Sequence, residues 1–77
     1  MKVKAIVTLK DGVLDPQGKA IQQTLNGMNF SEVKEVRQGK YFDIEVNTND
    51  EKKAKAEAEE MCKKLLANLV IEDYKIL

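Results

Sequence analysis

Residues 33–46, VKEVRQGKYFDIEV, constrain the fold of this chain more than any other stretch. Val33, Glu35 and Arg37 alternate with Lys34, Val36 and Gln38, and Phe42, Ile44 and Val46 alternate with Tyr41, Asp43 and Glu45. That period of two belongs to β-strands. Gln38-Gly39-Lys40 lies between the two runs, and Gly39 can take positive φ without a Cβ clash, so the stretch reads as a hairpin. Upstream lies a strand and then a helix; downstream lies a helix and then a strand. The expected order is β-α-β followed by β-α-β, with the hairpin joining the halves.

Lys2–Leu9 alternates Val3, Ala5, Val7 and Leu9 against Lys4, Ile6 and Thr8, the pattern of a half-buried strand. Lys10-Asp11-Gly12 breaks it. Asp15 and Pro16 mark the start of a first helix, since a carboxylate can accept from the free amides of the first turn and proline has no amide to leave unpaired. Ala20, Ile21, Thr24, Leu25 and Met28 recur on one face of it, Asn26-Gly27 weakens its end, and Phe30 is expected to plug the core beneath the following loop. Thr48 and Glu51 fit a capping box opening a second, longer helix. Its expected inward stripe is Ala54, Ala58, Met61, Cys62, Leu65, Leu66 and Leu69, with Glu59–Lys63 and Glu60–Lys64 paired outside. Asn68 can end that helix, and Val70–Leu77 reads as a last strand. Right-handed crossovers then produce an α+β, ferredoxin-like βαββαβ domain spanning 1–77, a four-stranded antiparallel sheet with both helices on one face. The first and third strands are expected at its centre, and the second and fourth at its edges, where pairing with another chain is invited.

At 77 residues there is room for one helix layer on one sheet, and a core of that size needs support from disulfides, metals or partner chains. One cysteine and no histidine leave neither a disulfide nor a plausible metal site, so association with other chains is the expected support. Lys plus Arg and Asp plus Glu each number 13, so no net basic field draws nucleic acid. Tyr41 and Phe42 lack the basic and aromatic run of an RNA-stacking sheet. Apolar runs are too short to span a membrane, and a cytoplasmic protein is expected.

The chain presents few groups for chemistry. Cys62 reads as packed core, because burial raises a thiol's pKa and no histidine exists to activate it. Asp50 and Glu51 read as helix-capping acids. The glycines at 12, 18, 27 and 39 are scattered, so no phosphate-binding loop can be built from them. Arg37, Lys40 and Tyr41 cluster at the expected turn, either as a solvated turn or as a contact patch for a protein partner. No positioned acid, base or nucleophile stands out, and the residues describe an interaction module.

Three stretches carry more than fold: VLDPQG at 13–18, VRQGKYFDIEV at 36–46 and MCKKLLANLVIEDY at 61–74. Together they resemble the small S subunit (PurS) family of bacterial and archaeal phosphoribosylformylglycinamidine synthase, an enzyme of purine biosynthesis. The resemblance implies a three-component enzyme. A glutaminase subunit releases ammonia from glutamine. A large subunit uses ATP, with Mg, to activate the amide oxygen of formylglycinamide ribonucleotide, and ammonia displaces phosphate to form the amidine. The small subunit, typically a homodimer, bridges the other two and assists ammonia passage, with no cofactor of its own. Carried over by position, the partner-contact residues are Asp15, Pro16 and Gly18 at the first helix start and Arg37, Gly39, Lys40 and Tyr41 at the hairpin. For the first loop, helix capping competes with partner contact as the reason for those residues. The rival class is a small dimeric ligand-binding regulator of the same topology (ACT-like), with a metabolite near Gly12–Gly18. An acyl-phosphate hydrolase on this fold would want an arginine between residues 10 and 18, and none is there.

Overall fold

The computed structural model describes residues 1–77. Three strands, β1 (Lys2–Leu9), β2 (Gly39–Glu45) and β3 (Glu72–Ile76), form one antiparallel sheet in the order β2-β1-β3. Two helices, α1 (Pro16–Gly27) and α2 (Glu51–Met61), complete the α+β architecture, and a π-helical turn, Cys62–Leu66, prolongs α2. β1 is central, as its alternation requires: Val3, Ala5 and Val7 are buried on one face, while Lys2, Lys4 and Thr8 face out.

α2 lies on that buried face because its inward residues are small. Ala54, Ala58 and Cys62, each four positions after the last, are fully buried and let the helix backbone approach β1 and β3 closely. Val46 and Ile76 close around Val3, Ala54 and Ala58. The N-cap is Asp50, two residues after the Thr48 of the expected capping box. Its Oδ1 accepts from the amides of Lys52 at 3.0 Å and Lys53 at 3.3 Å, while the Thr48 hydroxyl accepts from the Asp50 amide at 3.2 Å. Asp50 wins because a carboxylate at that position reaches two first-turn amides. Outside, Glu60–Lys64 pairs at 3.7 Å and Glu51–Lys55 at 3.1 Å, whereas Glu59–Lys63 does not form.

The hairpin expected at residues 33–46 is not formed. Gly39 is the first residue of β2, set opposite Thr8, and residues 33–38 pair with no strand. The sheet is therefore three-stranded. Gly39 is required for closeness instead of a turn, since a Cβ there would stand 2.8 Å from the Val7 carbonyl oxygen and 2.9 Å from Thr8 Cγ2.

A second departure is larger. α1 begins at Pro16 as expected but packs on neither the sheet nor α2. Its apolar stripe stays in the open: Ile21 is 42% exposed, Met28 59%, and Leu25 is half-buried. Thr24 bonds back to the Ala20 carbonyl at 3.0 Å. Phe30 plugs no core and is exposed. Asn26 folds the segment after the helix, its Nδ2 donating to the carbonyls of Phe30 at 3.0 Å and Val33 at 3.1 Å, and Asn29 takes the positive φ that ends the helical turn. The result is elongated, 48 × 24 × 14 Å, with a radius of gyration of 15.9 Å. A compact chain of this length would have roughly 11–12 Å.

Candidate partner-contact surface

The residues singled out around the first loop and the expected turn divide into a clasp, a sheet-end ion pair and an open face. In the clasp, Asp15 precedes Pro16, the first residue of α1, and its two carboxylate oxygens serve different segments. Oδ1 accepts from the Gly18 amide at 2.9 Å, capping the helix, and Oδ2 accepts from the Gln38 amide at 2.6 Å, tying the helix start to the residue before β2. Those two amide bonds, Gln38 first and Gly18 second, hold the Asp15 carboxyl below its ordinary pKa, outweighing the opposing effect of burial. Gly18 is buried against the Val36 carbonyl and the Asp15 carboxylate, leaving no room for a side chain. Arg37 closes the other side. Its guanidinium donates from Nη1 to the Val13 carbonyl at 2.6 Å and from Nη2 to the Lys10 carbonyl at 3.0 Å. Asp15, Pro16, Gly18 and Arg37, far apart in sequence, thus form one unit, and its polar groups are engaged by the backbone.

Lys40 and Tyr41 diverge, as adjacent strand residues must. Lys40, opposite Val7, lies on the α2 face and pairs at 3.6 Å with Glu72, whose other oxygen accepts from the Asn68 amide at 2.7 Å. Tyr41, opposite Ile6, lies on the uncovered face and is 56% exposed. That face also carries Lys2 and Asp43, paired at 3.9 Å, and Lys75. The expected turn patch is therefore not one patch. Glu72 is a site residue that sequence reading passed over; its only signal was the acid pair Glu72-Asp73 directly after the apolar Val70-Ile71.

Sequence reading also missed an apolar groove of about 660 Å³ beside α2, floored by Phe42 and Ile44 of β2 and walled by Met61, Leu65 and Leu66. The expected inward stripe of α2 is in fact split. Ala54, Ala58 and Cys62 face the sheet; Met61 and Leu66 are half-buried, and Leu65, 83% exposed, stands at the groove. The π-helical turn, closed by the Ala67 amide donating to the Cys62 carbonyl at 2.9 Å, resets the helical phase there. Cys62 itself is held in the core, where burial, with Glu59 secondarily, pushes its thiol pKa up. No group of three or more His, Cys, Asp or Glu side chains is placed to hold a metal ion, and no helix is long and apolar enough to cross a membrane.

The model of the family PurS, "Phosphoribosylformylglycinamidine (FGAM) synthase", matches residues 2–77. The chain belongs to the PurS family. It is 53% identical over 75 residues to the phosphoribosylformylglycinamidine synthase subunit PurS of Methanocaldococcus jannaschii, covering 97% of this chain and 90% of that protein. To the Bacillus subtilis PurS subunit it is 50% identical over 74 residues, 96% of this chain and 87% of that one. The crystal structure of M. jannaschii PurS, described as one of the subunits of formylglycinamide ribonucleotide amidotransferase in the purine biosynthetic pathway, superposes with a TM-score of 0.87 over 99% of this chain and 92% of that one. A chain in the structure of PurLQS from Thermotoga maritima superposes at 0.86, with 33% identity over all of this chain and 96% of that one. The chain is thus a PurS subunit of phosphoribosylformylglycinamidine synthase, a ligase of purine biosynthesis.

Proposed function

We propose that this chain, folded as a single domain over residues 1–77, is the non-catalytic adaptor of phosphoribosylformylglycinamidine synthase. It joins the glutaminase subunit to the ATP-dependent synthetase subunit and assists the passage of ammonia between them. The large subunit uses the ATP and Mg; this chain needs no cofactor for its part. Formylglycinamide ribonucleotide, glutamine and ATP are thereby converted to formylglycinamidine ribonucleotide, glutamate, ADP and phosphate in the cytoplasm. The adaptor works as a homodimer or higher homo-oligomer. In that assembly residues 33–38 pair with another strand, restoring the four-stranded sheet that their alternation implies.

The observation that carries this reading is where the chain spends its surface. The groups with the most chemical character, Asp15 and Arg37, are consumed in bonds to backbone amides and carbonyls. The apolar surface, by contrast, is left open on α1, at Leu65 and along the groove, which is how an assembly component differs from a site that must bind and turn over a small molecule. The T. maritima PurLQS structure supports the assembly.

The test is reconstitution with the glutaminase and synthetase subunits. Glutamine-dependent amidine formation should require this chain, and synthesis driven by free ammonia should not. If glutamine-dependent synthesis is the same with and without the chain, the adaptor role fails. A shift in thermal midpoint with an amino acid or nucleotide alone would instead favour the ligand-binding regulator.

A further inference from the structure

We propose that the hollow between the start of α1 and residues 34–37 receives an aspartate or glutamate side chain of a partner subunit, held between Lys19 and Lys34. This rests on the reading of the chain as an adaptor and names the group that one of its partners presents. The hollow encloses about 190 Å³, and its wall brings together Lys19 of α1, Lys34, Glu35 and Arg37 of the later segment, and Leu14 and Asp15 of the first loop. Arg37 donates to the uncharged carbonyls of Val13 and Lys10, so its charge is offset only by the neighbouring Asp15 carboxylate. Asp15 has both oxygens on the Gly18 and Gln38 amides and none left for a lysine. Lys19, Lys34 and Glu35 form no ion pair. Three cations against two acids leave one positive charge unmatched, which is the charge that one carboxylate supplies. The groove beside α2 differs, since Lys53 and Lys64 stand there with Glu57 and Glu60 in equal number.

Lys19 adds to this field by its place in the helix. It stands near the start of α1, where free backbone amides already give a positive potential, and the first turn of α1 holds no acid. A cation there weakens the isolated helix and favours an incoming anion. A phosphate group carries a charge of about −1.5 to −2 at neutral pH and would crowd Glu35, whereas a carboxylate carries the single charge that is lacking. Leu14, 72% exposed at the rim, offers apolar surface to the methylene groups of an aspartate or glutamate. Pairing of residues 33–38 with another strand takes up their backbone groups, so the side chains stay available when copies of the chain associate. Because both lysines are exposed, the contact steers and selects a partner more than it adds to affinity.

The test measures binding of the full chain to the glutaminase subunit and to the synthetase subunit, at low and at high salt. The double variant Lys19→Glu with Lys34→Glu should bind one of the two subunits more weakly by roughly tenfold or more at low salt, and the deficit should shrink at high salt. Glu35→Gln should bind that same subunit more tightly, by roughly two- to fivefold. Lys19→Glu places an acid at the positive end of α1, and Lys34 and Glu35 are exposed, so thermal midpoint and sedimentation mass should stay as in the wild type. Unchanged binding of both subunits by the double variant, or unchanged or weaker binding by Glu35→Gln, would overturn the proposal. A thermal midpoint raised by inorganic phosphate in the wild type and not in the double variant would assign the hollow to a small anion instead. A changed sedimentation mass in the double variant would assign it to a second copy of the chain, and either result overturns the carboxylate partner. If the wild type binds neither subunit, the adaptor role fails and the partner carboxylate with it. If the wild type binds and the double variant binds equally well, only the carboxylate site falls.

Discussion

α1 and α2 carry the same kind of message in sequence and meet different fates. Both open on a carboxylate cap and show apolar residues at helical spacing, yet Ala54, Ala58 and Cys62 are fully buried while Ile21 and Met28 stand open. The difference lies in what each helix can reach. α2 follows β2 through a four-residue link (46–49) and its Asp50 cap, and its small residues admit it onto β1 and β3. α1 is bound at its first turn by a clasp and ends in a segment that pairs with no strand. An amphipathic stripe therefore states that a partner surface exists and leaves open which chain supplies it.

The contrast can be broken most sharply by placing a charge on each helix. Ala58→Asp buries an uncompensated carboxylate against Val3 and should cost on the order of 3–5 kcal/mol, enough to unfold much of a chain this small in urea at neutral pH. Met28→Asp, on an exposed position, should leave the urea midpoint of the isolated fold within about 0.5 kcal/mol of the wild type. Equal losses from the two would mean that α1 is packed within its own chain after all.

Glycine to alanine substitutions sharpen the comparison at the next scale. Gly18→Ala drives a methyl group into the Val36 carbonyl and should destabilise by about 1–3 kcal/mol. Gly27→Ala at the end of α1 meets nothing within 4 Å and has no positive φ to lose. It should raise the midpoint by about 0.4–1 kcal/mol.

Acid acts through the same clasp. The Asp15 carboxyl is lowered in the folded chain by the Gln38 and Gly18 amides, so its contribution is fully present above its unfolded value, near pH 4. That contribution is lost as pH falls through the lower folded value. Asp15→Ala should lower stability at pH 7 and reduce the loss of stability between pH 5 and 3, measured by urea midpoints across that range. An unchanged acid slope would show that the clasp carboxylate is not responsible.

The smallest effect is expected at the sheet end. Lys40→Ala removes a partly exposed ion pair with Glu72 and should cost about 0–1 kcal/mol, and less in high salt. Arg37→Ala should exceed it, because two carbonyls lose a charged donor. Faster amide exchange at Val13 and Gln38 in Arg37→Ala would show the clasp loosening; exchange identical to wild type would not.

What could be read from residue order alone was local. Asp15 and Pro16 announce the start of α1 because capping is settled within three residues, and Lys2–Leu9 and Phe42–Val46 declare strands because alternation sorts neighbours onto opposite faces. The motifs at 13–18, 36–46 and 61–74 carried the family for the same reason, being properties of the string. Whether Gly39 turns the chain or lets it pass close to Thr8 was decided by register with β1, a strand some thirty residues earlier. Which of α2's apolar residues face the sheet and which the groove was decided by the π-helical turn and the reach of Ala54 and Ala58. Those choices depend on contacts between distant segments, whose free energies compete only once the chain has folded, and no short window of sequence contains both sides of the competition.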